Sequence, residues 1–127
     1  MSLSIKTLNG RRKHLLLTAE AKSKLPPIRA NEGKSDEATI VHVKLFSIHS
    51  DHYWYITEYD PEENLIYGIA YRQSMSDHMP EGEWGYASLN ELASCHRFGC
   101  PSIERDLWFK PCSVAEVQKR LREKHAA

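Results

Sequence analysis

Two runs of seven residues, YWYITEY at 53–59 and LIYGIAY at 65–71, are separated only by Asp60-Pro61-Glu62-Glu63-Asn64. Both runs are dense in aromatic and β-branched residues, which suit the pleated, half-buried surface of a strand. The spacer carries Asp at the first and Pro at the second position of a type I turn. A hairpin follows. Pairing Tyr59 with Leu65 sets Thr57 opposite Tyr67, Tyr55 opposite Ile69 and Tyr53 opposite Tyr71. It also lays Trp54 over Ala70 and Ile56 over Gly68, so that large residues meet small ones on the second face.

Around this hairpin the pattern extends in both directions. Residues 39–46 alternate, with Val41, Val43 and Leu45 on one side and His42, Lys44 and Phe46 on the other, which predicts a strand before the hairpin. Residues 84–87 predict a further strand after it, and Leu107, Trp108 and Phe109 another, stopped by Pro111. Helices are expected at 15–25, with Thr18 as cap and Pro26-Pro27 as stop, from Ser88, and from Ser113 to about Lys124. Ser88 with Glu91 and Ser113 with Glu116 have capping-box spacing, and Val114, Val117 and Leu121 fall on one helical stripe. Residues 29–38, 73–83 and 95–102 read as loops. The expected fold is therefore α+β: an antiparallel β-meander of about four to five strands with two to three short helices packed on it.

The chain's 127 residues suffice for one hydrophobic core and are too few for two, so a single domain over 1–127 is expected. Seventeen basic side chains offset seventeen acidic ones, which excludes a whole-molecule field that would draw the protein onto nucleic acid or an anionic membrane. The basic patch at Arg11, Arg12, Lys13 and His14 reads as a solvated edge. No apolar run approaches the roughly twenty residues of a membrane span, and the first residues lack the pattern of a secretory signal, so a cytoplasmic location without membrane contact is expected. Three cysteines in such a chain read as free thiols.

Several residue groups could carry chemistry. Glu58 and Asp60, with Glu104 and Asp106, could hold a divalent metal and activate water, with Lys110 stabilising charge on a phosphate. Their spacing departs from the usual nuclease order of an acid on one strand and acid-x-Lys on the next. The alternative is that Glu104, Arg105 and Asp106 form ion pairs and cap a turn. Cys95, His96, Cys100 and Cys112 lack the paired knuckles of a structural zinc site. Cys95 beside His96 does not make a nucleophile with its base, and Gly82 and Gly85 are not a phosphate loop. No cofactor and no metal is expected. Aromatic residues on the sheet, among them Trp54 and Trp84 with Arg72 and Arg97, could anchor a protein partner or stack unpaired bases.

Several segments together resemble a known family. They are Leu16-Leu17-Thr18 to Pro26-Pro27, Val41 to Phe46, Trp54-Tyr55 with Thr57 to Pro61, Gly85 to Leu89 with Glu91-Leu92, and most specifically Ile103-Glu104-Arg105-Asp106-Leu107-Trp108-Phe109-Lys110-Pro111. The chain is similar to a family of small bacterial proteins of unknown function carried by plasmids, integrative elements and phages, some labelled single-stranded-DNA endonucleases. Residues 73–83 look like an insertion relative to that family. The resemblance implies cargo of a mobile element. The expected function is that of a non-catalytic accessory protein binding a host protein or nucleoprotein stoichiometrically, as anti-CRISPR or anti-restriction inhibitors do, through Trp54, Arg72, Trp84 and Arg97. The alternatives are a small metal-dependent nuclease built on the carboxylates, or a single-stranded nucleic-acid binder.

Overall fold

The computed structural model describes residues 16–97 and 100–126, so the basic patch at Arg11 to His14 and Leu15 lie outside the described residues. A five-stranded antiparallel sheet forms the frame. Its strands are β2 (Val43–Ser47), β3 (His52–Asp60), β4 (Leu65–Arg72), β5 (Glu83–Ser88) and β8 (Ile103–Arg105). The order is β5-β4-β3-β2-β8: a four-strand meander with β8 returning beside β2. Two small ribbons accompany it, β1 (Ile40–Val41) with β9 (Cys112–Ser113), and β6 (His96–Arg97) with β7 (Cys100–Pro101). The helices are α1 (Ala19–Lys24), α2 (Leu89–Ser94) and α3 (Val114–Ala126). The expected α+β meander with helices packed on it is the fold observed.

The helix starts follow their caps. The hydroxyls of Thr18, Ser88 and Ser113 accept the amides of Ala21, Glu91 and Glu116 at 3.0, 3.2 and 3.0 Å, satisfying donors that a helix cannot pair internally. Helix α1 ends at Leu25, where Pro26-Pro27 forbids another turn.

Both faces of the sheet are covered. On one, Val43, Leu45, Ile56 and Ile66 pack with Leu16, Leu17 and Leu25 beside α1 and with Leu89 of α2. On the other, Tyr55, Ile69 and Tyr71 pack against Val114, Val117 and Leu121, the stripe that aims α3 at the sheet. Each such buried side chain contributes about 1.5–3 kcal/mol.

Three local expectations are corrected. The strand at 39–46 breaks at His42, whose amide donates to Ile56 O at 2.9 Å. Val41 consequently packs on the α3 face, away from Val43 and Leu45. In the hairpin, the expected register holds from Tyr53 to Ile56 and then shifts by one at a bulge, so Glu58 faces Tyr67, Tyr59 faces Ile66 and Asp60 faces Leu65. Because side chains alternate along a strand, the extra residue Thr57 moves Tyr59 onto the α1 face and leaves Glu58 on the other. Lastly, Leu107 and Trp108 form a turn and not a strand. The ladder beside β2 is made instead by Ile103, Glu104 and Arg105.

Candidate functional site

Glycine geometry shapes the region where the aromatic strands meet. A Cβ on Gly68 would lie 1.9 Å from the Tyr55 carbonyl oxygen, so only glycine lets β4 pass the backbone of β3 just before the bulge. Beyond it, Tyr67 and the β5 residues Trp84 and Tyr86 share the face that the bulge gives to Glu58. Tyr67 stacks with Trp84 at 5.5 Å between ring centroids and meets Tyr86 at 4.7 Å. The three rings form one wall of a cleft of about 560 Å³, whose opposite side is the loop bearing Arg29, Asn31, Glu32, Lys34 and Asp36. Trp84 is 39% and Tyr86 59% exposed.

Glu58 is the floor of this cleft and is 3% exposed. Its two carboxylate oxygens accept the backbone amides of Arg29 at 2.7 Å and Asn31 at 3.1 Å, and Asn31 Nδ2 reaches the Thr57 carbonyl at 3.5 Å. Arg29 holds φ at 78°, a left-handed conformation rare for its residue type. The loop thus turns two donors, two residues apart, toward one carboxylate. The Tyr67 hydroxyl pKa is raised, first by burial and then by the neighbouring Tyr86 and the Glu58 charge, so the ring stays a neutral phenol at physiological pH.

A second cluster sits at the opposite edge of the sheet, where β8 runs into the 106–110 turn. Asp106 accepts the Trp108 amide at 2.9 Å and pairs with Lys44 at 3.6 Å. Lys44 also lies over the rings of Tyr53 and Tyr55 at 5.2 and 5.5 Å. Phe109 turns inward onto Tyr55. The intervening Leu107 and Trp108 point outward, 75% and 91% exposed. A cleft of about 400 Å³ lies beside them, lined by Lys44, Phe46, Tyr53 and Glu104 among others.

The residues singled out in the sequence are dispersed. Trp54 is half-buried against the α1-side core and stacked on His52 at 4.1 Å. Arg72 is exposed at the end of β4, opposite His52. Trp84 is on the aromatic wall. Only the backbone of Arg97 is described, in the β6–β7 ribbon. Glu58 lies in the first cleft. Asp60 caps the hairpin turn by accepting the Glu62 amide at 3.0 Å. Glu104 and Asp106 border the second cleft, Arg105 donates to the Leu16 carbonyl at 3.3 Å, and Lys110 is exposed beyond it. Glu58 and Asp106 are therefore not brought into one cleft, and the lysine that meets Asp106 is Lys44. Among the described residues no three His, Cys, Asp or Glu side chains converge as metal ligands would, and no helix is long and apolar enough to cross a membrane.

Tyr67 and Tyr86 belong to the aromatic face that the sequence suggests, whereas sequence reasoning missed Trp108 as a surface residue. Trp108 was legible in part: an Asp two residues before it, with Pro111 beyond, is a turn signal that competes with a strand of three apolar residues.

The architecture is that of an α+β protein with an aromatic cleft along one sheet edge and an apolar prong beside the other. The chain belongs to a family described as a protein of unknown function, DUF2958, whose model matches residues 11–122. No curated protein and no solved structure matches the chain.

Proposed function

We propose that this protein is a non-catalytic accessory factor of a mobile genetic element. It acts as one cytoplasmic domain that binds a host protein or nucleoprotein stoichiometrically, as inhibitors of CRISPR or restriction systems do. The observation that carries the reading is the prong: Leu107 and Trp108 are adjacent, 75% and 91% exposed, and held on a turn fixed by Asp106. A fully exposed tryptophan on an anchored turn loses little further entropy on binding and offers the largest apolar surface of any side chain, the usual composition of an interface hot spot. The basic and aromatic surroundings, Lys44, Phe46 and Tyr53, supply a cleft beside it that a partner side chain could fill.

Of the carboxylates of the nuclease alternative, Glu58 lies in one cleft and Glu104 and Asp106 in another. Glu58 accepts two backbone amides, and Asp106 accepts the Trp108 amide and pairs with Lys44. Binding of single-stranded nucleic acid has one observation in its favour, the aromatic wall of Tyr67, Trp84 and Tyr86 in a cleft that Arg29 and Lys34 also line. That reading requires affinity for an unstructured oligonucleotide that falls steeply with salt.

The test is quantitative capture from nuclease-treated bacterial lysate with tagged wild type and with Trp108→Ala. The proposal expects a protein recovered in fixed ratio by the wild type and lost with the variant, at unchanged melting temperature. Equal capture by both would remove the prong from the account, and divalent-metal-dependent cleavage of DNA or RNA by the purified protein would replace it with an enzyme.

A further inference from the structure

The sheet has two edges, and they are unlike. Strand β8 is three residues long and gives way at once to the Asp106 turn. Strand β5 has six residues in unbroken register with β4, with its one charge, Glu83, at its first position, and with no Pro, no Lys and no bulge. These are the devices by which natural sheets blunt their edges. Among the described residues, the backbone hydrogen bonds of Glu83 to Ser88 run only to β4. In an antiparallel ladder the N–H and C=O groups of alternate residues point away from the neighbour, so β5 offers a row of unpaired groups to a further strand.

Gly85, at the middle of β5, is not required by the chain's own fold. A Cβ there would meet nothing within 4 Å, whereas one on Gly68 or Gly82 would collide with neighbours at 1.9 or 2.6 Å. A strand glycine costs about 0.5–1 kcal/mol relative to alanine, and close approach of another backbone is one of the uses of such a position.

The sequence about Gly85 is self-complementary. A two-fold axis perpendicular to the sheet, midway between two paired strands, sets Gly85 against Gly85 of a second copy. It sets Trp84 against Tyr86 and Glu83 against Ala87, every pair on a shared face. Aromatic rings oppose aromatic rings, and no like charges face each other across the ladder. The chain as a whole carries 17 basic and 17 acidic residues, so two copies do not repel. The pairing would also cover Trp84 and Tyr86, whose exposure is otherwise unexplained.

We infer that β5 is the seam of a homodimer, two copies joining antiparallel edge to edge about Gly85 into a continuous ten-stranded sheet. Tyr67, Trp84 and Tyr86 of each copy then form one aromatic wall spanning both subunits. This inference stands independently of the prong, which lies at the other edge.

The open space at Gly85 makes the test clean. Gly85→Lys and Gly85→Glu should each fold as the wild type does, with the same circular dichroism and, at concentrations low enough for the wild type to be monomeric, a melting temperature no lower. Each puts two like charges face to face on the axis. Sedimentation equilibrium should show a wild-type dimer in the micromolar range and a dissociation constant raised by about 100-fold or more in either variant. Mixing the two should restore association as a Lys/Glu heterodimer. Hydrogen exchange on the wild type decides the matter even if a variant misfolds: amides of Glu83 to Ser88 should gain protection as concentration rises. Three results would overturn the inference. They are a wild type that stays monomeric with concentration-independent exchange in β5, a Gly85→Lys protein that dimerises as tightly as the wild type, and folded Lys and Glu variants that fail to associate when mixed. The first would leave this edge to a strand from another protein.

Discussion

The Glu58 carboxylate accepts the amides of Arg29 and Asn31, residues 29 and 27 positions earlier in the chain, and so fixes the loop that faces the aromatic wall. The contact exists because the bulge at Thr57 holds Glu58 on the cleft side of β3. A charged acceptor buried with two donors is worth roughly 2–4 kcal/mol, since removing it strands both amides. Glu58→Gln keeps one acceptor and presents an N–H to the second amide. It should lower stability by about 1–3 kcal/mol in urea unfolding and speed hydrogen exchange at Arg29 and Asn31 while leaving β4 and β5 protected. Unchanged exchange at those two amides would contradict the assignment.

Glycines 68 and 85 face each other across β4 and β5 and should respond oppositely to alanine. Gly68→Ala drives a methyl into the Tyr55 carbonyl, and an overpacking clash against backbone costs about 3 kcal/mol or more. Within the single chain Gly85→Ala adds a methyl to open space and, at concentrations where the protein is monomeric, should raise stability by about 0.5–1 kcal/mol. Equal effects at the two positions, measured by thermal unfolding, would show that the register of β4 is wrong.

Acid should weaken the fold through two histidines. Burial chiefly, with the Lys24 charge, holds the His42 pKa below its ordinary 6.5, and burial chiefly, with Arg72, does the same for His52 on Trp54. Each group binds its proton more readily in the unfolded chain, so stability is unaffected well above pH 6.5 and falls as pH drops through and below it. Replacing both with Gln should flatten the melting temperature between about pH 7 and 5. A slope unaltered by the double variant would assign the acid sensitivity elsewhere.

The Asp106 side chain is both turn cap and ion-pair partner. Asp106→Ala should cost about 1–2 kcal/mol without unfolding the sheet, because Phe109 remains packed on Tyr55. The turn carrying Trp108 should become more mobile, seen as lower fluorescence anisotropy in a Trp54→Phe, Trp84→Phe background. Anisotropy equal to that of the parent would mean the turn is held by other groups.

How much of this was legible in the sequence depends on how local each determinant is. The two hairpin strands with their register from Tyr53 to Ile56, the caps at Thr18, Ser88 and Ser113, and the α3 stripe rest on spacing within a few residues, and these appear as read. The bulge at Thr57 was not legible, because either register gives plausible pairs and only the loop docking on Glu58 selects the shifted one. The break at His42 depends likewise on Val41 finding Val114 and Val117, some seventy residues away. The site was less readable still. Trp54 looked as exposable as Trp84, yet the first packs on the α1-side core and the second stands at an open edge. Trp108 owes its exposure to a hydrogen bond with Asp106 that outweighs the strand preference of Leu-Trp-Phe.

Native mass spectrometry of the tagged protein eluted together with whatever it captures tests the central claim most directly. The account expects a discrete complex holding a host protein in a fixed integer ratio, absent when Trp108 is replaced by Ala. A protein recovered without any such complex, or one released intact after turning over a nucleic-acid substrate, would contradict it.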